Sequence, residues 1–149
     1  MTATVSIVEL APTVRGQDQL GRTRSLDEFK GRRVVLWWYP KAETPGCTVE
    51  GCNFRDLNEQ YTAKGVVLLG ASFDAPADNL AFATNQRFSF DLLSDPDQTL
   101  AAALGMNTDP ASPYAKRWTY VFGPDGRLEQ RIEKVDPRSH PQALLDSLP

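Results

Sequence analysis

The sequence predicts an α/β domain with a mixed central sheet flanked by helices. Two observations carry this expectation. Residues 34–39 and 66–72 are continuous apolar runs, the pattern of strands covered on both faces. Strand-like and helix-like segments then alternate as far as Pro124-Asp125-Gly126, a turn signal between two strand-like stretches. That turn makes a hairpin, so the sheet is mixed rather than wholly parallel.

Each element has its own local reason. Ser25 and Glu28 have capping-box spacing and open a short helix that Gly31 ends. Residues 34–39, Val-Val-Leu-Trp-Trp-Tyr, form the central strand, and Pro40 stops it. Thr44 suits an N-cap and Pro45 the first helical position, so a helix runs over 45–64 and Gly65 ends it. Residues 66–72 form the second buried strand. A helix over 76–86 offers Leu80, Phe82 and Ala83 to the core. Residues 90–94 form a short strand, Asp95-Pro96-Asp97 opens a helix ending near 104–105, and 106–116 is a loop. A strand over 117–122 pairs with its hairpin return over 127–135, and 142–148 is the last helix.

Composition bounds the function. The 149 residues fit one domain spanning 1–149. A hydrophobic share of 41% with 23% charged residues excludes wholesale disorder. A net charge of −3 lacks the basic face of a nucleic-acid binder. The longest apolar stretch, 34–39, is far short of a bilayer span. The N-terminus carries neither the charged nor the apolar region of a secretory signal, and no lipidation motif closes the chain. The expectation is a cytoplasmic protein with no membrane or nucleic-acid partner.

There are two cysteines, Cys47 and Cys52, and one histidine, His140. A structural zinc site usually needs four such ligands. His140 lies in a Pro-flanked stretch far from either thiol in sequence and reads as a surface residue near the last helix. Cysteines five apart do not form the disulfide framework of a secreted domain.

The chemistry concentrates in residues 40–52. A thiol is a poor nucleophile until it becomes a thiolate. Cys47 falls in the first turn of the predicted helix, where free backbone N–H groups and the helix dipole favour an anion. With no histidine close in sequence, activation comes from fixed positive potential rather than from a general base. Cys52 follows five residues later. On a regular helix their Cα atoms are roughly 8.7 Å apart, whereas a disulfide needs roughly 4.4–6.8 Å. A Cys47–Cys52 bond therefore requires the first turns to unwind. Either cysteine, taken alone, could equally be a small buried hydrophobe.

The segment Tyr-Pro-Lys-Ala-Glu-Thr-Pro-Gly-Cys-Thr-Val-Glu-Gly-Cys-Asn-Phe-Arg-Asp resembles the peroxiredoxins, in particular the peroxiredoxin Q or bacterioferritin-comigratory-protein branch. That family carries Pro-x-x-x-Thr-x-x-Cys, here Pro40, Thr44 and Cys47, and the branch often places a second cysteine where Cys52 stands. Leu10-Ala11-Pro12, Gly70-Ala71-Ser72, Leu93-Ser94-Asp95-Pro96, and Arg117-x-Thr119 followed by Gly123-Pro124-Asp125-Gly126 are similar in order and spacing. The resemblance covers nearly the whole chain.

The resemblance implies a thioredoxin-like fold and a thiol-dependent peroxidase. Cys47 matches the peroxidatic cysteine, whose thiolate attacks hydrogen peroxide or an organic hydroperoxide and becomes a sulfenic acid. Thr44 matches the threonine that contacts thiolate and peroxide, Pro40 the proline that shields the pocket, and Arg117 the arginine that orients the site. Cys52 resembles the resolving cysteine, which forms an intramolecular disulfide that a thioredoxin-type dithiol reduces. No metal, haem or flavin is implied, and an intramolecular pair needs no second subunit, so a monomer is expected. Glu50 matches an acidic position of the family, but its pattern is that of a helix-surface charge and it is left out of the site. Trp37 and Trp38 read as core, and Trp118 is larger than the residue usual there. Three rivals remain. A thiol–disulfide oxidoreductase would use Cys-x-x-Cys spacing, a redox sensor would react once without turning over, and incidental cysteines would ignore peroxide.

Overall fold

The computed structural model describes residues 15–106 and 108–149. Leu10-Ala11-Pro12 and the rest of the N-terminal stretch lie outside the described residues. The strands are β1 (Arg15–Asp18), β2 (Thr23–Ser25), β3 (Arg33–Trp38), β4 (Val66–Ser72), β5 (Asp91–Ser94), β6 (Thr119–Phe122) and β7 (Leu128–Ile132). They form a mixed sheet in the order β2-β1-β5-β4-β3-β6-β7. β3, β4 and β5 run parallel, while β6 lies antiparallel to β3 and pairs with β7 as a hairpin. The helices are α1 (Pro45–Ala63), α2 (Pro76–Gln86), α3 (Thr99–Ala103) and α4 (His140–Ser147), with a 3-10 turn at Leu26–Phe29. None of them is long and apolar enough to cross a membrane.

The central strand explains the layering. Successive side chains of a strand point to opposite faces, and both faces of β3 are covered, as its unbroken apolar run requires. Val35, Trp37 and Tyr39 meet Phe54 and Tyr61 of α1, Phe82 of α2 and Leu144 and Leu145 of α4. Val34, Leu36 and Trp38 meet Leu26 and Phe29 of the 3-10 turn, with Leu100 and Ala101 of α3. Trp37 and Trp38 are both fully buried, as core residues should be.

Four details depart from the sequence expectations. Strands β1 and β2 carry no signal in the sequence, because their polar residues show no alternation. Their turn is organised instead by Asp18, a buried carboxylate that accepts the N–H groups of Leu20 and Arg22 and the side chains of Arg22 and Arg24. Helix α3 begins at Thr99 rather than at Asp95, because the Asp95 carboxylate accepts the Leu100 and Ala101 N–H groups. The hairpin strands are shorter than expected, starting at Thr119 and ending at Ile132. His140 is not a surface residue: it is 8% exposed, its Nε2 lies 2.9 Å from Thr119 Oγ1, and its ring stands edge-on to Phe54. Exposure is expected of a histidine with no Cys or carboxylate cluster around it in sequence, but its partners, Thr119 and Phe54, come from distant elements, and Pro141 after it occupies a first-turn position of α4, where proline costs no helical bond.

Candidate active site

The loop that leaves β3 delivers the site. Tyr39 continues the strand, its N–H bonded to the Ala71 carbonyl, and its hydroxyl donates to Asn79 at 2.7 Å. Pro40 follows, half-buried. The Ala42 N–H donates to Asp74 Oδ2 at 2.8 Å, and Lys41 pairs with the same carboxylate at 3.7 Å. Glu43 adopts a left-handed φ of 64° and accepts from Asn85 Nδ2 at 2.6 Å. The loop between strand and helix is thus tied to the β4–α2 connection and to α2 at three successive residues.

Thr44 occupies the N-cap position of α1 with extended backbone, as expected, but its hydroxyl does not cap. It donates to the Lys41 carbonyl at 2.7 Å. The proton is committed there, and the oxygen lone pairs are left as acceptors.

Cys47 is fully buried in the first turn of α1. The backbone bond from Thr48 N to the Thr44 carbonyl opens the helical ladder, so the N–H groups of Gly46 and Cys47 stand ahead of it. Arg117, on the segment entering β6, reaches back over this turn. Its Nη2 lies 3.7 Å from Cys47 Sγ, and its Nη1 donates to Glu50 Oε1 at 2.9 Å. Gly46 makes the approach possible, since a Cβ there would fall 2.9 Å from Arg117 Nη2. Next to Arg117, the Trp118 ring lies between Lys116 Nζ at 4.7 Å and the Arg131 guanidinium at 4.8 Å, and the Trp118 carbonyl accepts the Trp38 N–H. Backbone and ring together fix the strand end that carries Arg117.

Glu50 is the site residue that sequence reasoning left out. It is fully buried, not a surface charge. Burial pushes its carboxyl up to about 7, with Arg117 pulling the other way. Burial also lowers Arg117, but Glu50 and Cys47 outweigh it, and the guanidinium ends above its ordinary range. Glu50 Oε2 has no hydrogen-bond partner. The signal was available: Glu50 is three residues after Cys47, and positions three apart share a helix face.

Cys52 is half-buried on the unbroken helix, and its thiol donates to Gln86 Oε1 at 3.3 Å. Both cysteines are free thiols. Between them, Gly51 faces Phe88 and Trp37, and a Cβ there would clash with the Phe88 ring. The structure thus brings Arg117 to Cys47, with Thr44 at the N-cap of the same helix and Pro40 at the start of the same loop, and holds Cys52 on another face of that helix, against Gln86. Among the described residues, no group of three or more His, Cys, Asp or Glu is placed to hold a metal ion.

Comparison with known proteins gives this arrangement a context. The AhpC/TSA family matches residues 7–131. The chain is 41% identical to a chloroplastic peroxiredoxin Q of Triticum aestivum over 125 residues, 84% of this chain and 58% of that protein. It spans 58–60% of the length of three such chloroplast relatives. It is 39% identical to a putative peroxiredoxin bcp of Coxiella burnetii over 150 residues, covering 97% of this chain and 99% of that one. Among solved structures, the bacterioferritin comigratory protein of Xanthomonas campestris, described in connection with its alkyl peroxide reduction activity, superposes with a TM-score of 0.85 at 28% identity. That likeness covers 93% of this chain and 92% of the other, and such neighbours share the thioredoxin-like peroxiredoxin fold. With the family match spanning most of its length and near full-length likeness to Bcp proteins, the chain belongs to the AhpC/TSA family, in the peroxiredoxin Q/Bcp branch.

Proposed function

We propose that this chain is a thiol-dependent peroxidase acting on hydrogen peroxide and small organic hydroperoxides. The observation that carries the reading is the Arg117 guanidinium, shared between the Cys47 sulfur and the buried Glu50 carboxylate. A permanent cation beside the sulfur, together with the leading N–H groups of α1, favours the thiolate. The thiolate attacks one peroxide oxygen, the O–O bond breaks, and the leaving oxygen departs as an anion that is protonated to water or an alcohol. Sulfur is oxidised to the sulfenic acid and the peroxide is reduced. Arg117 stabilises the charge growing on the leaving oxygen. Thr44, its proton held by the Lys41 carbonyl, accepts the peroxide O–H and orients it. Pro40 shields the thiolate pocket from water.

Cys52 acts as the resolving thiol. It displaces the sulfenic hydroxyl as water and forms an intramolecular disulfide, which a thioredoxin-type dithiol reduces. Both cysteines lie on one regular helix, so the first turns of α1 unwind for this step. Hydrogen exchange over residues 46–54 then rises on oxidation. The chain works as one domain over 1–149, a cytoplasmic monomer that needs no bound cofactor. The test is turnover of hydrogen peroxide with thioredoxin and its reductase. Cys47→Ser is expected to be inactive and Cys52→Ser to lose thioredoxin-supported cycling. Full turnover by Cys47→Ser would end the reading.

A further inference from the structure

Two consecutive side chains at the end of α2 grip both flanks of the cysteine segment. Asn85 Nδ2 donates to Glu43 Oε1 at 2.6 Å, ahead of Cys47, where the backbone is held in its left-handed turn. Gln86 Oε1 accepts the Cys52 thiol at 3.3 Å, behind it. Arg55, one helical turn beyond Cys52, donates to the Gln86 carbonyl at 2.8 Å and fixes that residue against α1. The end of α2 is itself anchored: Phe88 N bonds the Ala83 carbonyl, and the Phe88 ring packs on the Phe82 and Phe90 rings.

We propose that Asn85 and Gln86 form a latch that keeps the Cys47–Cys52 segment helical, and that Gln86 is a positioning residue governing when Cys52 becomes available. The inference rests on the assignment of Cys52 as the resolving thiol. An amide carbonyl accepts a hydrogen bond from a thiol and repels a thiolate. Gln86 therefore holds the Cys52 S–H turned toward α2, and Cys52 must leave it to attack.

The latch then sets a partition. In one branch the sulfenic S–O bond of Cys47 breaks, a Cys47–Cys52 bond forms, and the hydroxyl leaves as water with the Cys52 proton. In the other, a second hydroperoxide transfers an oxygen to the sulfenic sulfur, giving a sulfinic acid and water or an alcohol. A tighter latch lengthens the life of the sulfenic acid and feeds the second branch. A looser one feeds the disulfide.

The test uses the full chain with Gln86→Ala, Gln86→Glu and Asn85→Ala, and hydrogen peroxide as the probe. Rapid-quench mass spectrometry follows the sulfenic acid at about +16 Da, the disulfide at about −2 Da and the sulfinic acid at about +32 Da in one time course. Gln86→Ala is expected to form the disulfide about fivefold faster, the scale of one lost hydrogen bond, and to yield less sulfinic acid under excess peroxide. Asn85→Ala shifts the same way. Gln86→Glu is expected to act oppositely, since a carboxylate binds the thiol more strongly and opposes its ionisation. A general loosening of the fold would move both Gln86 variants together. Equal rates in all variants, or the same direction for Ala and Glu, would overturn the latch. Hydrogen exchange over residues 46–54 of the reduced protein decides the latch without any peroxide chemistry: faster exchange in Gln86→Ala supports it and unchanged exchange refutes it. Failure of the peroxidase reading would show separately, as a parent mass that peroxide leaves unchanged, with neither the sulfenic acid nor the disulfide formed.

Discussion

Arg117 stands 3.7 Å from the Cys47 sulfur across 70 positions of sequence, and the same guanidinium holds Glu50 at 2.9 Å. A planar fork can serve both partners at once, whereas an ammonium is a single point charge. Arg117→Lys therefore keeps the charge and loses the geometry. Its second-order rate constant with hydrogen peroxide should fall roughly 100-fold, and that of Arg117→Ala further. Stopped-flow tryptophan fluorescence under single-turnover conditions measures it. A lysine variant at the parental rate would show that charge alone suffices.

Glu50 links this site to pH. Its carboxyl titrates at about 7 in the fold because burial opposes its charge, against an ordinary value of 4.5. A group raised on folding contributes stability that is fully present below the unfolded value and lost as pH rises through the folded one. Glu50 thus lowers stability progressively from about pH 4.5 to about pH 7. Glu50→Gln keeps an acceptor for Arg117 and removes this slope. Urea midpoints at pH 5 and pH 8 should show the variant gaining on the parent at the higher pH. A pH-independent difference would contradict the assignment.

His140 gives the opposite slope. Burial between Phe54 and Thr119 lowers its pKa from 6.5 to about 4. A depressed histidine gives stability that is present above its unfolded value and lost as pH falls toward the folded one. Between pH 6.5 and 4 the cost reaches about 3 kcal/mol. His140→Gln, which still can bond Thr119, should flatten that acid limb. Because Glu50 and His140 pull in opposite directions over part of the range, the two variants are compared separately with the parent.

The parts of this molecule that were legible in the sequence are those written in local patterns. Trp37 and Trp38 sit in an unbroken run of apolar, β-branched and aromatic residues that is short and closed by Pro40, the pattern of a strand covered on both sides. Thr44-Pro45 announced the start of α1, and Pro40, Thr44 and Cys47 carried their spacing openly. The unread parts depend on partners distant in sequence. Glu50 looks like a solvated helix charge until Arg117 arrives from the segment entering β6. His140 looks exposed until Thr119 and Phe54 close over it. The β1–β2 hairpin has no apolar pattern, because Asp18 and its arginines organise it rather than a hydrophobic face. The Gln86 contact to Cys52 joins two helices, and neither helix signals it alone.

The central claim is that Cys47 is an activated thiol which Cys52 resolves. It is tested most directly by the intact mass of the reduced protein a few seconds after mixing with one equivalent of hydrogen peroxide. The account predicts a loss of about 2 Da, the signature of a sulfenic acid formed and then closed to a disulfide. An unchanged mass would contradict it at its first step. A gain of about 16 Da that persists would contradict the role given to Cys52.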